Sequence, residues 1–482
     1  MRRIICLQLL IWLGFFSLVA QTLNIYPIPK ELIYSKHNDD FTVSVRLPGK
    51  EWQDLYEYRV LVDMDNPQPA SMVQFDFSGR VELRIRPNNQ MIHKVKIRPL
   101  SKGIEYTVRE NMIYFSLDKP GKFSIEINEN RVNNLHVFAN EPETEVPNPD
   151  DPGVVYFAPG FHRPKDLPGN AFTISSNTTV YLAPGAVVNG KFICNNVENV
   201  RFIGRGYIDN PVRGFEFTHS KNIEINGITV INPDHYTVLG GEVDGLKINN
   251  LKAFSCKGWS DGIDLMSCKN VEIKDIFMRN SDDCIALYAH RWTYYGNVKN
   301  IKVSDAILWA DVAHPINIGG HGKGNILEDI TFSNINILQH DEDDRLYQGC
   351  LSINVADDNV VQNVNFENIW IDNIEEGQLF NFRVLYNPKY SVSPGGGIQN
   401  IKVKNIYYTG YGENPSIIEG YSKERLINNI TFENIIINGK QAGNGHYRRR
   451  RAPLHGVQQT GADQPGAAED RRRSRSGPHS AQ

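Results

Sequence analysis

From about residue 154 onward, hydrophobic and polar positions follow one recurring pattern. The segments NIEINGITV, LKINNLKAF, VEIKDIFMR, IKVSDAILW, ITFSNINIL, VNFENIWID, IKVKNIYYT and ITFENIIIN all read apolar–x–apolar–x–Asn/Asp–apolar. Their shared polar column falls at Asn226, Asn250, Asp275, Asp305, Asn334, Asn368, Asn405 and Asn434, at intervals from 24 residues (Asn226 to Asn250) to 37 (Asn368 to Asn405). Period-two alternation predicts strands, and a repeat of this length is too long for a hairpin meander and too strand-rich for helical repeats. It predicts an all-β, right-handed parallel β-helix with coils stacked about 4.8 Å apart, apolar residues inside and amide side chains bonding backbone at the turns. A β-propeller is the alternative, disfavoured because its blades repeat more evenly. Residues 21–143 carry a different texture, with short alternating segments (FTVSVRL, VELRIRP, HKVKIRP, KFSIEIN) between Gly, Pro, Asn and Asp. They predict a small N-terminal β-sandwich. The acidic, proline-rich stretch 144–153 reads as a linker, 154–441 as the β-helix, and 442–482, which loses the strand pattern and gains Arg, Ala, Gln and Pro, as a disordered tail.

Composition narrows the class. With 51 basic and 55 acidic residues in 482, charge gives no case for a nucleic-acid partner. Residues 1–20, MRRIICLQLLIWLGFFSLVA, pair two arginines with an apolar run and a small-residue end. They read as a signal peptide cleaved near Ala20, which implies a secreted or periplasmic protein. No later segment is apolar enough to span a membrane, and a monomer is expected. Cys194, Cys256, Cys268, Cys284 and Cys350 are sparse and odd in number; they read as buried apolar residues, with one disulfide conceivable and no zinc spacing.

The chemistry concentrates in KGWSDGIDLMSCKNVEIKDIFMRNSDDCIALYAHR, residues 257–291. Aligning Ile263 with Ile285 on consecutive coils sets Asp261 level with Asp283, with Asp282 at the same edge. Stacked carboxylates about 5 Å apart cannot all ionise, so one carboxyl is held protonated while its neighbours stay charged. Glycosidic hydrolysis needs that division between an acid and a water-activating base. A ladder of turn aspartates and a calcium site fit the same spacing.

The motifs SDGID, NSDDCIALY (21 residues separate Asp261 from Asp282) and AHPINIGGHGKG together resemble glycoside hydrolase family 28, the polygalacturonases, whose motifs read N-T-D-G-[IV]-D, D-D-C-[IV]-A and G-H-G-[IL]-S-I-G-S. TTVYLAPGAVVNGKF and NVRFIGRGYIDN are similar to that family's opening coils. The resemblance implies an inverting hydrolase of a poly- or oligosaccharide, with Asp282 as general acid, Asp261 and Asp283 holding the attacking water, and His314 maintaining Asp282. Asp264 matches a family acidic position, and no cofactor is implied. Three departures stand out. Ser260 replaces the family's asparagine, Ala313 replaces the first glycine of G-H-G, and Leu351-Ser352-Ile353 stands where R-I-K grips a uronate. Lacking R-I-K and carrying a sandwich, the chain also resembles family 49, the dextranases and isopullulanases.

Further candidates for substrate contact are Asp264, His321 and Lys323 in GGHGKG, Trp292 and Tyr294 as sugar platforms, and Arg345 in the charged insertion QHDEDDRLYQG. That insertion reads as a solvated loop at the cleft rim. Arg345, Lys323 and Arg383 are the cations available to replace R-I-K. Two rival classes are a non-catalytic glycan-binding protein and a calcium-dependent polysaccharide lyase.

Overall fold

The computed structural model describes residues 21–447 apart from 165, 166 and 348. The leader expected at 1–20 and residues 448–482 of the expected tail lie outside the described residues.

Alternation in the first segment folds as two facing sheets. One contains Thr22–Ile25, Tyr58–Val62, Gln68–Ser78, Val95–Arg98, Gly121–Ile127 and Asn130–Asn140; the other contains Phe41–Arg46, Gln53–Asp54, Val81–Pro87, Tyr106–Arg109 and Met112–Leu117. Their inward residues, among them Val43, Phe75, Leu83, Ile85, Ile125 and Val137, form one buried core.

Beyond it runs a right-handed parallel β-helix, which excludes the propeller. Each coil runs along three faces, with one strand on each in the earlier coils and, from Ile326–Gln339 onward, one long strand covering the first two. One coil is Asp244–Asn249, Lys252–Phe254 and Ile263–Met266; the next is Lys269–Lys274, Phe277–Asn280 and Ile285–Tyr288. Equivalent strands pair in parallel, with Val271 opposite Ile301, Met278 opposite Leu308 and Ile263 opposite Ile285. Apolar side chains therefore stack on their counterparts in one continuous core, in which Cys194, Cys268, Cys284 and Cys350 are buried as free thiols.

The polar column is a ladder of left-handed turn residues. Asn250, Asp275, Asp305, Asn334, Asn368, Asn405 and Asn434 all have φ between 50° and 57°, a conformation in which asparagine and aspartate are favoured. Their amides bond from coil to coil, as in Asn368 to Asn334 (3.2 Å) and Asn405 to Asn368 (2.8 Å). Asn226 does not belong to this column. Gly227 (φ 91°) holds that place, and Asn226 pairs instead with Asn249 one position earlier. A second ladder, unrecognised in the sequence, runs through Asn363, Asn400 and Asn429. The chain also stays ordered past residue 441. Strand Lys440–Tyr447 runs antiparallel on the last rung, where backbone pairing requires no apolar pattern.

The sandwich packs its Tyr58, Val60, Met72 and Phe138 against Tyr207, Phe254, Phe277 and Trp309 of the second face of the β-helix. Within this junction Arg279 and Asp311 form an ion pair with both side chains fully buried. Arg279 also donates to Asn134 Oδ1 (2.9 Å) in the sandwich and lies 4.0 Å over the Trp309 ring. A buried charge left without its partner is costly. Arg279→Met is therefore expected to lower stability by about 3–5 kcal/mol, read as an earlier urea midpoint, while Lys404→Met on an exposed pair should change little.

Candidate active site

The third face of the β-helix sets the site. Val238 pairs with Ile263, Ile263 with Ile285, and Ala286 with Asn317. The backbone bonds just before these strands, Gly214 N–H to Tyr236, Thr237 to Asp261, Gly262 to Asp283 and Cys284 to His314, extend the register two residues back. Arg213, Tyr236, Asp261, Asp283 and His314 thus form one column across five coils. Asp282 lies just before Asp283, and oxygens of Asp261, Asp282 and Asp283 come within 4.8 Å of one another.

Asp283 is buried and saturated with donors. Its Oδ1 accepts from the His314 backbone N–H (3.0 Å) and Nδ1 (2.7 Å); its Oδ2 accepts from Asn317 Nδ2 (2.8 Å) and the Tyr288 hydroxyl (3.3 Å). Burial alone raises a carboxyl pKa, but His314 and these donors outweigh it, and Asp283 lies below the usual carboxylate range. Nε2 of His314 is bonded to the Tyr347 carbonyl. A carbonyl and a carboxylate both only accept, so both ring nitrogens carry protons and the ring is an imidazolium. Burial opposes that charge, yet Asp283 beside it moves the His314 pKa up to about 9.

Asp282 is half-buried. It accepts from the backbone N–H groups of Trp259 (2.9 Å) and Asp283 (3.0 Å). Burial, then the Asp283 charge, push its pKa up to about 6 against those donors. Burial and the surrounding carboxylates also raise Asp261 and Asp264 well above their ordinary values. Among the described residues, Asp261 Oδ1 and both oxygens of Asp264 have no hydrogen-bond partner. The nearest cation is Arg291, 3.8 Å from Asp264.

The other sequence candidates divide. Trp292 stands 50% exposed at the rim, stacked on Tyr236 (6.1 Å between ring centres), while Tyr294 packs over Gly241. His321 lies edge-on to Tyr288 at 5.2 Å; burial, then Arg291, lower its pKa to about 4. Lys323 is exposed and has no bond to the carboxylates among the described residues. Arg345 points instead toward Asn414 (3.5 Å), and Arg383 pairs with Glu419. Neither cation is brought to the carboxylates. The charged insertion is not merely a solvated rim, because Tyr347 within it stands 4.5 Å edge-on to His314 and receives its Nε2–H.

Sequence reasoning missed Trp259, Arg213, Arg291, Tyr236, Asn317 and Tyr347. Trp259 and Trp292 flank the carboxylates with φ of 63° and 55°, a strained region for bulky side chains that is typical of functional sites. Trp259, two residues before Asp261, Asn317, inside AHPINIG, and Arg291, at the end of the acidic stretch, carried a signal by proximity to the motifs; Arg213 and Tyr236 carried none. Another groove, lined by Arg201, Glu224, Lys247 and Glu272 on a different face, holds no comparable cluster.

A parallel β-helix presenting this carboxylate triad defines a class of carbohydrate-processing folds, and comparison with known proteins specifies it. Residues 170–447 match the model of the glycosyl hydrolases family 28, and the chain belongs to that family. It is 24% identical over 234 residues to a polygalacturonase of Juniperus ashei, covering 46% of this chain and 40% of that protein. It is 24% identical over 243 residues to a probable endopolygalacturonase D of Neosartorya fischeri, covering 49% and 46%. The chain thus spans less than half the length of these relatives. In fold it is similar to Dex49A from Penicillium minioluteum, with a TM-score of 0.56, 16% identity, and coverage of 81% of this chain and 91% of that one.

His314→Gln should move Asp283 upward, since the largest opposing charge is lost; carboxyl carbon NMR titration reads this directly. The folded His314 pKa, about 9, lies above its unfolded value of about 6.5. The stability it adds is therefore fully present below about 6.5 and is lost as pH rises through about 9. The urea-stability gap between the parent and His314→Gln is expected to narrow over that window.

Proposed function

We propose that the protein is a polygalacturonase-like glycoside hydrolase that cleaves a poly- or oligosaccharide by acid–base catalysis, and that it acts outside the cytoplasm after export through its 1–20 segment. The observation that carries this reading is the split within one adjacent pair. Asp282 is raised to about 6 while Asp283 is held below the usual range. A protonated Asp282 donates to the departing glycosidic oxygen. Asp261, whose Oδ1 has no hydrogen-bond partner among the described residues, holds the attacking water and, with the negative charge of Asp283 beside it, activates it. His314 touches neither substrate nor water in this scheme; it keeps Asp283 ionised.

The close approach of the carboxylates favours a second reading. One oxygen from each carboxylate lies within 4.8 Å of the others, a closest approach that is short beside the roughly 6.5–9.5 Å between carboxyl groups usual for inversion. Such closeness suits a carboxylate nucleophile and retention. The water scheme is preferred because Asp261 Oδ1 is open to bind a water while four donors fill the acceptor positions of Asp283 and leave it none with which to attack carbon.

Product anomers followed by proton NMR on pectic, dextran and pullulan oligosaccharides decide between the two. Inversion is expected, and retention would overturn the role given to water. Asp282→Asn should reduce kcat at least about 10²–10⁴-fold while glycan binding persists. In the parent, kcat/KM should fall as pH rises through about 6, where Asp282 loses its proton.

A further inference from the structure

Five tryptophans lie among the described residues, and four of them have their rings engaged. Trp52 lies against the guanidinium groups of Arg46 (4.2 Å) and Arg84 (4.8 Å), and Trp309 is buried against those of Arg279 (4.0 Å) and Arg98 (5.0 Å). Trp370 stacks on Tyr407 (5.6 Å) and Trp292 on Tyr236 (6.1 Å). Trp259 is the exception. It is 51% exposed, and among the described residues no ring or cation stacks on its indole and no acceptor takes the indole N–H.

This open ring sits on a rigid turn. Ser260 closes residues 257–260, its Oγ accepting from the Lys257 N–H (3.1 Å) and donating to the Lys257 carbonyl (2.5 Å). The Ser260 carbonyl accepts in turn from the Ser255 hydroxyl and from Asn280 Nδ2 (3.3 Å), and Ser255, Ser260 and Asn280 are all fully buried. The turn holds Trp259 at φ 63°, where a bulky side chain is disfavoured and glycine is not. Its backbone N–H bonds Asp282 Oδ2 (2.9 Å), which ties the residue to the carboxyl assigned as the acid. An apolar ring kept in water on a strained backbone costs stability twice, and no contact in the free protein offsets either cost.

A flat aromatic face buries the C–H face of a sugar ring well, and its N–H remains available to a hydroxyl. We infer that Trp259 is a stacking platform for a pyranose ring of the substrate, seated beside Asp282 with its C–H face on the indole. This rests on the glycoside-hydrolase reading and adds to it a binding residue at the point of cleavage. An indole face reads shape and not charge, so the platform serves acidic and neutral rings alike. Because one residue supplies both the ring and the amide on Asp282, sugar binding and the seating of the acid are joined in a single turn.

Calorimetric titration of the full chain carrying Asp282→Asn, with tetragalacturonic acid, isomaltotetraose and panose, tests the platform. Adding Trp259→Gly should weaken every probe that the parent binds by about 10- to 100-fold, whereas Trp259→Phe, which keeps a flat ring, should cost about 3-fold or less. Trp259→Gly should retain a cooperative urea transition, since glycine suits the left-handed turn. Equal affinity in the parent and Trp259→Gly, a Phe variant as weak as the Gly variant, binding of no probe by the parent, or loss of the cooperative transition would each overturn the platform. So would a dimer, seen by sedimentation, that Trp259→Gly abolishes, because the ring would then belong to a contact between copies. Turnover of the same probes by the wild type is scored separately. Hydrolysis with a KM unchanged by Trp259→Gly sinks the platform and spares the hydrolase reading, whereas Trp259-dependent binding without hydrolysis of any probe does the reverse.

Discussion

The candidate site depends on one constraint, the in-register stacking of rungs on the third face. Each backbone bond from Gly262 to Asp283 and from Cys284 to His314 fixes which residues share a column. A slip of one residue would separate Asp261 from Asp283 and His314 and would turn Asp264 from the cleft face into the apolar core, because side chains alternate along a strand. The register is protected by what lies inside, where Ile263 and Leu265 stack on Ile285 and Leu287. Asp261 and Asp283 each stand two residues before a core isoleucine, Ile263 and Ile285, so the packing that fixes the isoleucines fixes the carboxylates at the strand entrance. The sandwich adds a brace from outside. Its loop donates the Met64 N–H to the Ser281 hydroxyl (3.0 Å), beside Asp282.

A chain of causes then distributes protons. The Tyr347 carbonyl accepts from one nitrogen of His314 and Asp283 accepts from the other, so the ring stays charged. That charge holds Asp283 ionised, and the anion, added to burial, raises Asp282. His340, stacked 6.3 Å from His314, does not compete for the proton; burial, then the His314 charge, lower its pKa to about 3. Each group is displaced by the one before it, so a polar loop contact several residues from the carboxylates sets the protonation of Asp282. Asp261 and Asp264 form a second centre, in which burial and the neighbouring carboxylates raise both carboxyls and Arg291 opposes that rise.

The fold was legible because the repeat is written in the alternation and the turn amides. So was the carboxylate column, since Ile263 and Ile285 can be aligned by eye. Asn226 was misplaced because Gly227 occupies the left-handed site without a side chain to mark it. The cations were misjudged for a different reason. Arg345 and Lys323 lie near the motifs in sequence, but only three-dimensional winding shows that Arg213, nearly fifty residues before Asp261, lies two coils away in the same column. Tyr347 was hidden by its charged neighbours, whose polarity suggested a solvated loop. Contacts made through a backbone carbonyl, as with His314, leave no residue-type signature at all.

Charge along the cleft is uneven, and this has a consequence for how a glycan lies. Toward the N-terminal coils stand Arg213, Arg291 and the exposed face of Trp292; past His314 the outward positions are Asn317, Ser352, Asn354, Asn381 and Arg383, the last paired with Glu419. Hydroxyls and amides can meet the hydroxyls of either an acidic or a neutral sugar, since they donate and accept alike. Guanidinium groups only donate, so they reward an anion and leave a neutral ring unfavoured.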